Sequence, residues 1–464
     1  MAGFTFVSAL LATALHSGFH PRPCTDERIA EIARCGTIDV PEDRNLPEGR
    51  TISLNIVVLP ALSDEPHDPP IFDIDGGPGL PSTKNAEFYA TFGSAYRAKR
   101  DIVLIDQRGT GSSNPLTCPE LSDPDNAYVP FLPVDAVERC RRSLEVSADL
   151  TKYGTAEAVA DLDDVRSALG YEKLNIFALS YGTTVALRYM ATHPDRVRAA
   201  VLMGVSPADA TPPRMHAPAG QSALDMLIED CRADTACAAS FEPNEDIALV
   251  RENLPTIDGA PPVEVFFEKL RSLMYTPQGA RMVPLILDRA AARDLSPFYE
   301  ATRPRGPSLY ADGMFLSVIC SEGISLMDLS AARAEAATTV FGDYRLRRQA
   351  EACSIWPSQK PNESHLLPVH SDVPVLLISG ERDPVTPPVL ADNAARTLTG
   401  AKHIVIPRSG HVFDGMSGIE ECLDPLILDF FEAAMIELVD DKCVSQMKAP
   451  SFVTEVTTAS PSEQ

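Results

Sequence analysis

Residues 173–189 read Lys-Leu-Asn-Ile-Phe-Ala-Leu-Ser-Tyr-Gly-Thr-Thr-Val-Ala-Leu-Arg-Tyr, and no other stretch restricts the fold of this chain as much. Leu174 to Leu179 form an apolar run of strand length. After Ser180-Tyr181-Gly182 the spacing becomes helical, with Val185, Ala186, Tyr189 and Met190 on one face, and it stops near His193, ahead of Pro194. A serine at a sharp strand-to-helix turn holds its hydroxyl above the carboxyl end of a sheet, in the arrangement called a nucleophile elbow, whose pattern is Gly-x-Ser-x-Gly. Ala178 stands at the first glycine position and Gly182 at the second. Small residues are needed there because strand and helix approach closely. Small-x-Ser-x-Gly is common by chance, so the reading depends on partners elsewhere in the chain.

The flanking segments alternate between strand and helix. Strands are expected at 51–59, 70–75, 101–106 and 198–204, with a helix at 155–169. From about 206 to 372 the buried-strand pattern disappears, and proline breaks separate helical stretches at 223–231, 263–274, 279–293 and 331–341. Alternation then resumes with a strand at 373–379, a helix at 388–398, a strand at 403–406 and a helix at 424–439. Such alternation implies a doubly wound, mostly parallel sheet covered on both faces, with the middle block inserted at its carboxyl edge. The expected division is a candidate signal segment at 1–23, a core in two parts at 24–205 and 373–448, a helical cap at 206–372, and a disordered Ser/Thr-rich tail at 449–464.

The formal charge of −25 argues against nucleic-acid or anionic-membrane partners. The apolar run at 4–15 is too short to span a bilayer. It suits the apolar core of a signal peptide, with Ala12-Thr13-Ala14 as a small-residue cleavage site, although no Lys or Arg precedes Arg22. The ten cysteines fall into sequence-local pairs, Cys24/Cys35, Cys118/Cys140, Cys231/Cys237, Cys320/Cys353 and Cys422/Cys443. Disulfides in an exported protein, periplasmic or secreted, are the expectation, and free thiols in the cytoplasm the alternative. No Cys-x-x-Cys or Cys/His cluster suggests zinc.

A serine hydroxyl becomes nucleophilic when a base takes its proton and a third group holds the base. In doubly wound hydrolases the order is Ser, acid, His. Only His403 and His411 follow the resumed strand at 373. His403 begins an expected strand, whereas His411 lies in the loop after it, so His411 is the better base. The preceding loop offers Glu381 and Asp383, and Asp383, in a turn fixed by Pro384, is the stronger candidate for the acid, with Glu381 left to pair with Arg382 or to line the entrance. An oxyanion hole needs backbone N–H groups aimed at developing negative charge. Tyr181, next after the serine, supplies one, and Gly77 in Gly76-Gly77-Pro78-Gly79 the second, while Gly76 lets backbone approach substrate. No metal or organic cofactor is required by this chemistry.

Gly76-Gly77-Pro78-Gly79, the run 106–112 (Asp-Gln-Arg-Gly-Thr-Gly-Ser), Ser180-Tyr181-Gly182, the run 380–387 (Gly-Glu-Arg-Asp-Pro-Val-Thr-Pro) and Gly410-His411 together resemble the α/β-hydrolase family of prolyl iminopeptidases and tripeptidyl aminopeptidases. The resemblance covers about 35–439. The cysteine-containing 318–322 run (Val-Ile-Cys-Ser-Glu) leans toward the secreted tripeptidyl-aminopeptidase-like branch. It implies an α/β-hydrolase fold with a helical cap, Ser180 as nucleophile, Asp383 as acid and His411 as base. Ala178 departs from the family's usual glycine. Asp106 and Arg108 are expected to be structural, since their polar groups would otherwise be buried without partners. An exopeptidase must also recognise a free α-amine, and Glu322 is the candidate, with a helix-capping or surface role as its alternative. The expected activity is that of a serine exopeptidase acting on peptides with a free N-terminus. A carboxylic-ester hydrolase with the same triad and a silent binding module of the same fold are the competing readings.

Overall fold

The computed structural model describes residues 18–63, 69–306 and 308–455. Its strands are β1 (Phe19–Arg22), β2 (Arg34–Pro41), β3 (Thr51–Leu59), β4 (Ile71–Ile74), β5 (Ile102–Ile105), β6 (Leu174–Leu179), β7 (Val197–Met203), β8 (Val375–Gly380) and β9 (Ala401–Ile406). They form one sheet in the order β1-β2-β3-β5-β4-β6-β7-β8-β9. The pairs β1/β2, β2/β3 and β3/β5 are antiparallel, and every pair from β5/β4 to β8/β9 is parallel. The central parallel strands are mostly apolar because both faces are covered: every residue of β4, β5 and β8 is buried, Asp73 and Ser379 among them.

From β4 the chain steps to one side, to β5, and then across to β6 on the other. Strand order reverses there, opening a crevice beyond the carboxyl ends of β4 and β6. The Gly76 loop and Ser180 both lie at that crevice. One apolar core joins Ile176 and Val185 to the helix Thr155–Ala168, and a second joins Leu376 and Ile378 to Phe430 and Phe431.

Between β7 and β8 the described residues contain helices and no strand. Leu224, Leu227, Phe266, Phe267 and Phe298 build a core of their own there. The same block also reaches the sheet, because Met314, Phe315, Val318 and Cys320 belong to the core that includes Ile176. Helix Asp312–Val318 is therefore anchored to the sheet layer rather than floating above it.

All five cysteine pairs close as disulfides, 24–35, 118–140, 231–237, 320–353 and 422–443. No free cysteine is left. Among the described residues no single helix is long and apolar enough to cross a membrane.

Several elements differ from expectation. The antiparallel pair β1/β2 has no strong apolar alternation to announce it, and β1 is mostly exposed. Helix Val134–Leu144 lies in a segment that reads as loop, because its exposed face carries Arg139 and Arg142 and only Ala136, Val137, Cys140 and Leu144 are buried. The last long helix, Asp424–Ala433, stops where Ala434 takes φ 50°, short of the expected residue 439. The stretch expected to be disordered from 449 is seated as far as 455: the Val453 N–H donates to the Arg281 carbonyl at 3.2 Å, and the Arg281 guanidinium lies 4.2 Å from the Phe452 ring centroid. The rest of that tail and the apolar run at 4–15 fall outside the described residues.

Candidate active site

Ser180 joins β6 directly to the helix Tyr181–Thr192, with φ 56° and ψ −125°. A side chain in that backbone region is strained by about 1–3 kcal/mol, and the neighbours enforce it. A Cβ on Gly182 would fall 2.1 Å from the Ile74 carbonyl oxygen, so only glycine lets the helix start this close to β4. The Ser180 N–H donates to Met203 O at 2.9 Å, and its carbonyl accepts from the Thr183 N–H at 2.8 Å. Ala178 is fully buried beside Ile74 of β4, where the close approach leaves room for a methyl group.

Beyond β8, Asp383 is buried and saturated with donors. Its Oδ1 accepts from the N–H groups of Val385 and Thr386, both at 2.8 Å. Its Oδ2 accepts from Thr386 Oγ1 at 2.8 Å and faces His411 Nδ1 at 2.7 Å. Burial alone would raise this carboxyl. The charge interaction and hydrogen bond with His411, together with the Thr386 donors, outweigh it and hold the group below the ordinary carboxylate range. Thr386 Oγ1 also lies 3.1 Å from His411 Nδ1, so the threonine braces both partners. The His411 ring is packed edge-on to Tyr275, with centroids 5.2 Å apart. A Cβ on Gly204, which has φ 59°, would sit 2.9 Å from the imidazole.

Ser180 and His411 line one cavity of about 310 Å³, together with Gly76, Gly77 and Tyr181. The competing candidates lie elsewhere. His403 Nδ1 meets Asp392 at 2.8 Å and its Nε2 meets Ser379 Oγ at 3.0 Å. Glu381 accepts the Arg408 N–H at 2.8 Å and lies 3.7 Å from Arg382. Asp106 binds Thr83, Ser112 and Asn55, and the fully buried Arg108 binds Asp161 and the carbonyls of Glu42 and Lys152. Both shape the loop beside the elbow.

Residues 69–226 match the family model described as alpha/beta hydrolase fold, and residues 338–443 match the one described as TAP-like protein. The chain is a serine hydrolase of the α/β-hydrolase family. It is 24% identical over 442 residues to serine protease Hip1 of Mycobacterium tuberculosis, an alignment covering 84% of each chain. It is 30% identical over 219 residues to tripeptidyl aminopeptidase of Streptomyces lividans, covering 42% of this chain and 39% of that protein. With proline iminopeptidase of Neisseria gonorrhoeae it shares 32% over 143 residues, 31% of this chain and 34% of the other.

The two candidate oxyanion donors of the hydrolase, Tyr181 and Gly77, line the cavity that holds Ser180. Tyr181 is the first residue of its helix, where the N–H has no intrahelical acceptor and the helix dipole is positive. On the β4 side the Gly76 N–H donates to Asp75 Oδ1 at 2.6 Å, and what Gly76 provides is proximity: a Cβ there would lie 2.6 Å from Ser180 Cβ. Gly77 follows with φ 112°. Asp75 is itself tied to Lys84 at 3.0 Å.

Glu322 lines the same cavity, on a π-helical turn, Ile319–Gly323, that extends helix Asp312–Val318. It is buried. Its Oε1 accepts the Thr155 N–H at 2.7 Å and its Oε2 the Thr155 hydroxyl, whose oxygen is 3.0 Å from Tyr181 OH. Glu322 thus caps helix Thr155–Ala168 from a distant part of the chain, one of the roles expected as an alternative. Burial, opposed by the Thr155 donors, still pushes its carboxyl up to about 7. His365 Nε2 lies 3.4 Å from Oε2, but burial and then Arg188 push that imidazole down to about 4, so it offers a dipole and no charge at neutral pH. Sequence reading missed Thr386, Thr155 and His365. Thr386 was detectable, since a Thr three residues after Asp383 can close a side-chain turn. Thr155 and His365 carry no local signal.

Proposed function

We propose that this hydrolase is a serine exopeptidase that removes residues or short peptides from free N-termini. The observation that carries the proposal is Glu322. It is a buried carboxyl group on the wall that Ser180 and His411 share, with hydrogen-bond donors but, among the described residues, no Lys or Arg in ion-pair contact, Arg188 acting on it only at longer range. A carboxylate has about four acceptor positions, and Thr155 occupies two. The remaining capacity suits an ammonium group, whose arrival would favour the charged form of Glu322.

In this reading Ser180 Oγ attacks the scissile carbonyl carbon while His411 takes the hydroxyl proton. Asp383 keeps Nδ1–H oriented and stabilises the imidazolium. The N–H groups of Tyr181 and Gly77 receive the developing oxyanion. His411 returns the proton to the departing amine, leaving an acyl-Ser180 ester. Water attacks that ester with His411 again as base, which frees the acyl product and restores Ser180. The disulfides support export to an oxidising compartment as the place of work.

The test is a library of peptides offered with free and N-acetylated termini, with product lengths read by mass spectrometry. Cleavage of the free series alone, lost in Ser180→Ala, is expected. Preference for blocked peptides or short esters would replace the exopeptidase reading with that of an ester hydrolase.

A further inference from the structure

A groove of about 800 Å³ runs along the helical block, and it shares Tyr310 and Arg345 with the cavity that holds Ser180. Glu322 belongs to the cavity alone. The groove thus offers a peptide with its amine at Glu322 and its scissile bond at Ser180 a path for its C-terminal side past Arg345.

Charge at that junction is not balanced. Glu268, on helix Val263–Leu273, receives two guanidinium groups at once: Arg271 Nη2 at 2.7 Å and Nε at 3.2 Å, and Arg345 Nη1. One carboxylate against two permanent cations leaves one positive charge in excess. Burial would raise Glu268, yet Arg271 and Arg345 together pull it down to about 2. Lys269, also on the groove, adds a further cation, with its amine 5.7 Å from the Tyr128 ring centroid. Of the other acidic residues of the groove, two are paired with a cation and two meet only neutral donors. Asp135 and Glu120 face Arg139, Asp312 accepts from Ser122, and Asp123 accepts the N–H of Asp125.

Arg345 is held for recognition. Its guanidinium lies 4.7 Å from the Phe131 ring centroid, which fixes its plane, and among the described residues its Nη2 finds no protein acceptor. Arg271 is sealed behind it, with a side chain 2% exposed. A planar, fixed guanidinium with free donors matches a carboxylate.

We propose that Arg345 is a specificity-determining residue that binds a carboxylate on the leaving-group side of the peptide, at the junction of cavity and groove. The inference rests on the exopeptidase reading above and deepens it. Two sources offer the same chemistry: the C-terminal carboxylate of a short peptide, or an acidic side chain just after the scissile bond.

The test uses three substrates with one N-terminal sequence and different leaving portions: a neutral residue with a free carboxylate, the same residue as carboxamide, and aspartate as carboxamide. At least one carboxylate-bearing member should exceed the neutral carboxamide about tenfold in kcat/KM, and which one does so identifies the source. In Arg345→Gln that ratio should fall to about one, and Arg345→Lys should recover part of it. Arg271 still pairs Glu268 in both variants, and the wild-type ratio needs no variant at all. Equal rates on all three substrates, or a ratio unchanged in Arg345→Gln, would overturn the proposal and leave the exopeptidase reading standing. Hydrolysis of a short ester with no cleavage of any member would remove that reading, and this proposal with it.

Discussion

The loop after β8 and the π-helical turn Ile319–Gly323 each hold one buried carboxyl group, Asp383 behind His411 and Glu322 on the cavity wall, and they treat it in opposite ways. Asp383 meets four donors, and its partnership with His411 keeps it ionised. Glu322 meets the two donors of Thr155 and a neutral imidazole, and burial drives it up to about 7. The sheet completes its acid internally, as a positioning group must be, while the inserted helices leave theirs short of a counter-charge. A saturated carboxylate can orient its neighbour, and an unsaturated one has capacity left for a ligand.

The contrast can be broken first on the sheet side. Ser180→Ala should lower kcat by about 10⁴-fold or more, and Asp383→Asn by about 10⁴-fold, measured on any cleaved peptide. Retained turnover in either variant would show that the sheet loop is not the catalytic half. Next comes Glu322→Gln, which keeps the shape and removes the charge. It should reduce kcat/KM on free-amine peptides on the order of 10²-fold, and change hydrolysis of an N-acetylated ester by far less. Equal losses on both substrates would reduce Glu322 to a cap for helix Thr155–Ala168. Thr386→Val, which deletes the brace between Asp383 and His411, should lower kcat about tenfold with KM little moved.

The smallest effect is on stability against pH, and the two carboxylates predict slopes of opposite sign. Glu322 holds its proton in the folded chain between its ordinary value of 4.5 and about 7, where the unfolded chain has lost it. Stability should therefore fall as pH rises through that window, by at most about 3 kcal/mol. Asp383 is lowered, so its contribution is present above the ordinary carboxylate range and is lost as pH drops below it. Thermal melts of Glu322→Gln should show a shallower first slope, to which Asp73, also pushed up to about 7 by burial, contributes as well, and should keep the second. An unchanged profile would mean that Glu322 is not the group titrating.

The sheet side was legible because its signals are local. The strand 174–179 coincides with β6, and Ser180, Asp383 and His411 each stand beside glycine, proline or a strand end that marks a turn. The helical side was not. Thr155 and Glu322 are 167 positions apart, and nothing in either neighbourhood signals the other. Arg345 sits in a polar helix, Tyr344–Cys353, whose role emerges only when Glu268 and Phe131 are brought to it by folding. Edge strands such as β1 escaped for a related reason, since an exposed strand needs no apolar alternation.

The 320–353 disulfide has a consequence for the length of substrate that fits. Cys320 precedes Glu322 by two residues in the π-helical turn, and Cys353 closes the helix on which Arg345 lies about 12 Å away along the axis. With Glu322 holding the amine and Arg345 a leaving-side carboxylate, as proposed, both posts are bolted to one covalent bracket. Such a bracket acts as a caliper: its jaws are set when the bond forms, and substrates are sorted by whether they span the gap. On that reading, reduction would loosen the jaws without touching Ser180, and selection of substrates by length should weaken.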